Sequence, residues 1–548
     1  MKTIATMALT LALLLLIGAA GAWAHDEAGG GSGDPEELGE VNFPVSCTPA
    51  AQQEFNRGMA LFHSFWFDPA KQAFATVLQH DPQCGMAHWG LAIMAMGNPF
   101  GWPPNPTALA AGAAASAAAQ RVGAKSERER DYIAALAVFF QDWQTTAHRP
   151  RALALEQAMA ALAARYPDDV EAQVLYALLL NVTALPTDKS YANQLKAAAI
   201  LEPLARRYPR HPGITHYLIH TYDYAELAAR GLPFARAYAA IAPSVPHVQH
   251  MPSHIFSRLG MWPEMVTANE ASYRAAKAEL KATTLGVGTY DALHAMDYLV
   301  FGQLQQARDQ AAKKLVDEVA AIAKVNVENF VAAYAFAAIP ARFALERGDW
   351  RQAAALQLAP AALAWDKFPQ AEAILVFARA LGAARSGDVA AGRKDVARLQ
   401  ALQQAMTAAN NGYWAGQTAF QIKAVDAWIA AAANRPEEAL QLMREAAKME
   451  EASDKHPVTP GTIVTARELL GEMLMTLQRP AEALVEFEGS LTRDPNRFRG
   501  IAGAARAAET AGNREAAARY YAQLQGLTAA RDSERPELAA ARAFLARN

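Results

Sequence analysis

Seven of the thirteen histidines of this chain fall between positions 211 and 294, in three short runs. In HPGITHYLIHTYD (211–223), His216, His220 and Asp223 stand at i, i+4 and i+7. If Pro212 opens a helix, all three share one face. In HVQHMPSHIFSRLG (247–260), Pro252 is a second helix start, with His250 just before it and His254 in its first turn. In 290–297, His294 and Asp297 are spaced i, i+3. Imidazoles and a carboxylate aimed into one volume make a donor set for zinc, copper, iron or nickel, and a poor one for calcium or magnesium. The expected metal ligands are therefore His216, His220, Asp223, His250, His254, His294 and Asp297, and the candidate metals are Zn, Cu and Fe. A lone helical histidine is ordinarily a core or capping residue; the clustering is what points to a site.

The spacing adds a second clue. His216, His254 and His294 are separated by 38 and 40 residues, close to the length of one pair of antiparallel helices. Each then lies on the first helix of its pair, as do His63 and His88 nearer the N-terminus. Packed helices lie about 10 Å apart, so imidazoles from successive inner helices can converge. His63, His88, Tyr222, Tyr290 and Asp188 are the expected ligand-binding residues of the same groove. Asp188 and Lys189, in TALPTDKSY, are either a charged loop at its mouth or a solvated turn. Phe100 and Trp102, in NPFGWPPNP (98–106), form either a rigid lid or a packed break between repeats.

Other chemistry lacks a motif. No GxxxxGK[ST], GxGxxG, GxSxG or HExxH occurs, and Gly286-Val287-Gly288 lacks its third glycine. Two cysteines, Cys47 and Cys84, cannot form a multi-cysteine metal site. The sequon at Asn181 is of the kind chance supplies.

The elements that must position the histidines are helical. The 548 residues carry 51 basic and 54 acidic side chains, a net charge of −3, and much of the 52% hydrophobic content is Ala. Ala favours helices and disfavours strands. The small charge gives no field for nucleic acid or anionic lipid. At the N-terminus Lys2, the apolar run from Thr10 and Ala22-Trp23-Ala24 read as an export signal cut after Ala24. The mature protein is expected to be periplasmic or secreted, with no membrane span. Cleavage there exposes His25, whose amine and ring can chelate copper together. HDEAGGGSGDPEELGE follows as a flexible linker.

Internal repeats come next. Residues 51–84 place Gly58, Ala70, Phe74 and Pro82 at positions 8, 20, 24 and 32 of a 34-residue window. Residues 464–497 place Gly471, Ala483, Phe487 and Pro495 there again. These windows resemble the tetratricopeptide repeat (TPR). The resemblance implies an all-α fold: an α-solenoid of TPR-like antiparallel helix pairs wound into a right-handed superhelix with a concave inner face. The expected divisions are a signal peptide (1–24), a linker (25–46), N-terminal repeats (47–106), divergent central repeats holding the histidines (107–320) and C-terminal repeats (321–548). In these windows Cys47 and Cys84 precede the first helices of successive repeats, which favours a disulfide; two buried thiols are the alternative.

SCTPAAQQEFNRGMALFHSFWFDPAKQAF, DPQCGMAHWGLA and HMPSHIFSRLGMW resemble exported bacterial TPR proteins. That resemblance implies a fold and no particular activity. TPR proteins bind peptides on the concave face, but of the residues that clamp a C-terminal carboxylate only Asn56 has a counterpart here. The leading expectation is a periplasmic binding protein whose His-lined concave pocket takes a ligand or a transition metal. A metal-dependent hydrolase or oxidoreductase using the same cluster is one alternative, and a passive protein–protein scaffold is another. The partner on the concave face is a peptide, a protein or a small polar ligand.

Overall fold

The computed structural model describes residues 37–279 and 287–547. The expected signal peptide, His25 and the first part of the expected linker lie outside the described residues. Helix follows helix from Pro49 onward, and nearly all pack on the next in chain order; Ala228–Tyr238 instead packs on Pro252–Arg258, past the short Pro246–His250. Among the described residues the only strands are Val287–Gly288 and Lys324–Val325, paired in parallel. The chain is an all-α solenoid of antiparallel helix pairs, as expected.

The repeat windows show why the small and large positions recur. Gly58 lies against the Phe74 ring so closely that a Cβ there would come within 2.9 Å of it, and Gly90 presses on the same ring from the next repeat. Gly471, Phe487 and Gly503 repeat this wedge near the C-terminus. A phenylalanine thus sits between two glycine-bearing helices, which sets their close approach.

Residues 37–46 depart from the expected linker. Leu38 and Phe43 are buried, and Phe43 joins a cluster of rings with Phe55, Trp89 and Tyr132. The segment turns at Gly39, where φ is +79° and a Cβ would meet the Arg210 carbonyl at 2.5 Å. The Glu40 amide then donates to that same carbonyl, 2.9 Å away. Enough apolar surface is buried here to order a stretch whose polar composition reads as linker. Cys47 and Cys84 are joined in a disulfide that ties this arm and the first helix to the second repeat.

The array also closes on itself. The helix Pro49–His63 packs against Pro212–Tyr222, about 150 residues away in sequence. From the other end, Trp262 Nε1 donates to the Asn496 carbonyl (2.7 Å), Arg497 pairs with Glu346 and Glu468 in full burial, and Lys455 reaches Asp223. The histidines line the inside of this closure, with His216, His220, His250 and His254 buried and His247 and His294 partly exposed. Among the described residues no helix is long and apolar enough to cross a membrane.

Candidate metal centre

Proline starts set the histidine helices. Pro212 occupies the first turn of Pro212–Tyr222, and the His211 ring caps it by accepting from the Ile214 amide. Pro246 and Pro252 open two consecutive short helices, Pro246–His250 and Pro252–Arg258. The first was not expected: His250 stands just before the helix at Pro252, as the sequence predicts, but it also ends a helical turn of its own. Two proline-started turns in succession bring His247 inward beside His250 and His254. Thr289 caps Tyr290–Gln305, which carries His294.

Six imidazoles meet in two groups of three. The ligand nitrogens of His216, His220 and His247 lie within 4.8 Å of one another, and so do those of His250, His254 and His294. The groups adjoin, with His220 and His254 ring centroids 5.6 Å apart and those of His247 and His250 6.0 Å apart. Aromatic rings wall them in. Phe65 lies over His216 (4.4 Å) and His247 (5.4 Å), Phe100 is stacked on His220 (3.7 Å), and Tyr298 covers His250 (4.5 Å) and His294 (5.2 Å). Phe65 reaches this position from a left-handed backbone, φ 54°. That conformation costs a non-glycine residue about 1 kcal/mol or more and persists only where the surroundings impose it.

Hydrogen bonds fix which nitrogens face inward. Asn269 donates its amide to the Met265 carbonyl (2.8 Å), so its oxygen accepts from His250 Nδ1 (2.7 Å). Asp223 accepts from His254 Nδ1 (2.9 Å). Both rings therefore carry their proton on Nδ1, yet their Nε2 atoms are only 3.1 Å apart. Two lone pairs face each other there, an arrangement that calls for a cation between them. In the other group His216 Nδ1 donates to the His63 carbonyl (2.6 Å), which bares His216 Nε2 at 3.2 Å from His247 Nε2. His220 is the extreme case. It is 6% exposed and neither ring nitrogen has a hydrogen-bond partner, a cost that buried polar groups rarely bear without a ligand.

The electrostatics keep the rings neutral. Burial, reinforced by neighbouring imidazoles, holds His216, His220, His247, His250 and His294 well below the usual histidine range. His254 is also lowered by burial, with the Asp223 bond acting against the shift. Burial alone would push the Asp223 carboxyl up, but Lys455, Arg258 and His254 together hold it well below its ordinary value. Lys455 is itself pushed down to about 8 by burial and the nearby Arg258.

The expected site residues divide accordingly. His216, His220, His250, His254 and His294 converge. Asp223 is beside the cluster, with its oxygens bonded to His254 Nδ1, Arg258 and Lys455, so it orients a ligand instead of being one. Asp297 faces away and pairs with the buried Arg342 (2.7 Å), because i, i+3 from His294 turns it toward the helix Phe330–Leu345. His63 belongs to a separate group in which Glu171 bonds both His63 Nε2 (2.8 Å) and His211 Nε2 (2.9 Å). Burial opposes it, yet the two imidazoles hold the Glu171 carboxyl far below its usual range. His88 is half-buried near Arg121, Tyr222 donates to Glu202, Tyr290 packs in the core around Leu293 and Val300, and Asp188 bonds Ser190. None of these four joins the imidazoles. Phe100 is stacked on His220, while Trp102 packs on Phe139 and bonds the Met96 carbonyl.

His247 was missed, although Pro246 and its i, i+3 spacing to His250 are visible signals. Asn269, Lys455 and Phe65 come from other elements and leave no local trace.

No protein-family profile and no curated protein matches the chain. Among solved structures it is similar to the APC/C hetero-tetramer Cut9–Hcn1, with a TM-score of 0.34 and 12% identity over 86% of this chain and 79% of that one. It is also similar to yeast Tom70, with a TM-score of 0.34 and 11% identity over 91% and 96%.

Proposed function

We propose that this chain is an exported helical-repeat protein that binds transition metal at the buried imidazole cluster. The observation that carries this is the pair His250 and His254, whose Nε2 lone pairs face each other at 3.1 Å with both Nδ1 protons committed elsewhere. Two nitrogens bound to one metal at about 2.0–2.1 Å stand about 3.3–3.4 Å apart in tetrahedral geometry, so little movement separates the observed pair from a ligated one. A proton shared between the rings would also relieve the contact, but burial disfavours charging either ring. His294 completes a triad with that pair, and His220, in the adjoining triad with His216 and His247, offers ring nitrogens with nothing else to bond. The export-signal reading of 1–24 and the Cys47–Cys84 bridge support a periplasmic or secreted setting, where disulfides persist.

The test is elemental analysis of tag-free protein purified from the periplasm. Near-stoichiometric zinc, copper or iron supports the reading. Protein that stays metal-free after reconstitution with each metal would sink it.

A further inference from the structure

The geometry points to a two-ion centre, with one ion held by His216, His220 and His247, the other by His250, His254 and His294, and both ions cuprous. This rests on the metal-binding reading above and specifies the number and charge of the ions.

The number follows from how the nitrogens group. Six imidazoles around one ion would all lie within about 4.2 Å of one another, twice a bond length of about 2.1 Å. Here the six do not form one group even at 4.8 Å; they fall into two triads, each within 4.8 Å and so a small inward shift from the span one ion accepts. Each triad has its own short contact, His216 to His247 at 3.2 Å and His250 to His254 at 3.1 Å. The second coordination partners are also separate. The His63 carbonyl orients His216, while Asn269 and Asp223 orient His250 and His254. Each triad is therefore positioned by its own set of anchors.

The charge follows from what surrounds the triads. All six ligands are neutral imidazoles. Among the described residues the one carboxylate hydrogen-bonded to any of them is Asp223, and its charge is already met by both Arg258 and Lys455. The walls are Phe65, Phe100, Tyr238 and Tyr298. Burying an ion costs free energy that rises with the square of its charge. Two divalent ions would enter with no anion to offset them, so the site favours ions of single charge. Copper is the metal suited to imidazole that offers a stable +1 state.

The test uses the full mature chain, tag-free and anaerobic, titrated with Cu(I) against a chromogenic Cu(I) chelator and in parallel with Zn(II). Two Cu(I) per chain are expected, with Zn(II) held at least tenfold more weakly. His247→Ala and His294→Ala should each leave one Cu(I), and the double variant none, with unchanged helical circular dichroism. His247→Gln and His294→Gln provide the same reading if either alanine variant misfolds. A single Cu(I) whose binding both single variants abolish would overturn the two-ion centre and leave the metal-binding reading standing. Zn(II) bound as tightly and resisting Cu(I) would overturn the cuprous assignment. No bound metal in any titration would overturn the metal-binding reading itself.

Discussion

Phe100 lies flat on His220, ring centroids 3.7 Å apart and planes 19° from parallel. The ring comes from a one-turn 3-10 helix, Pro99–Gly101, held by Asn98, whose side chain accepts from the Phe100 amide. A short proline-bounded loop thus carries a cover for an imidazole that has no hydrogen bond of its own. Phe100→Ala should speed metal loss to a competing chelator by about tenfold, a barrier change of about 1.4 kcal/mol. Stopped-flow chelator exchange measures it. An unchanged rate would mean that metal enters and leaves by another route.

His220 offers the cleanest separation of metal binding from folding. Its ring nitrogens bond nothing in the protein, so His220→Ala removes packing contacts and no hydrogen bond. The apo protein should lose about 1–3 kcal/mol, the lower range for truncating a buried side chain. Metal affinity should fall at least tenfold. Paired urea melts and metal titrations read both quantities. A variant that binds metal as the parent does would remove His220 from the ligand set.

Asp223 and Asp297 make a matched pair of controls. Both are buried carboxylates facing buried guanidinium groups, Arg258 and Arg342. Removing one partner of such a pair costs about 3–5 kcal/mol, so Asp223→Asn and Asp297→Asn should both destabilise the fold in urea unfolding. Only Asp223 holds a ligand imidazole, and loss of such an orienting partner weakens metal by about 10–100-fold. Equal metal affinity in the two variants would show that Asp223 orients nothing that matters.

Much of this was legible in the sequence, and the failures have physical causes. The proline starts and the 38- and 40-residue spacings place five of the six imidazoles. Glycine and phenylalanine at fixed repeat positions disclose the helix pairs, because a wedge between neighbours is a local property. The enclosure of the site depends on Asn496, Lys455 and His63 meeting residues 150 or more positions away. No periodicity carries such contacts. Asp297 shows the limit of helical spacing: i, i+3 from His294 says that two side chains are neighbours on a surface, but a buried arginine on the packed helix Phe330–Leu345 decided which way the carboxylate turned.

The disulfide should matter to the metal as well as to the fold. It closes a loop of sequence separation 37 around the first two helices, and the last residue of the first, His63, supplies the carbonyl that orients His216. Chain-entropy arguments give about 3–4 kcal/mol for a loop of this length. Cys47→Ser with Cys84→Ser should lower stability by about that amount and weaken metal held by His216, while leaving metal at His294 less affected. Thermal melts and titrations of the double variant check both. A stability loss with unchanged metal binding would uncouple the first helix from the site.

Acid should unfold the metal-free protein unusually steeply. All six cluster imidazoles have folded values lowered from 6.5, so below pH 6.5 the unfolded chain binds protons that the folded chain refuses. Their contribution is complete above about pH 6.5 and is lost as the pH falls toward the lowered folded values. Each such group costs about 1.4 kcal/mol per pH unit in that window. His456, pushed down to about 4 by burial and Lys455, acts in the same direction. His148, also pushed down to about 4, and the lowered His63 and His88 add to it. Glu450, pushed up to about 7 by burial, and the raised Asp297, Asp426 and Glu468 act in the opposite direction. Urea midpoints at pH 7.5, 6.5 and 5.5 should therefore drop sharply over the last interval. Bound metal occupies the same nitrogens, so it should raise every midpoint and be released as the pH falls. A flat profile for the metal-free protein would show that the folded imidazoles take up protons freely, and a cluster that accepts protons so readily would not be poised for metal.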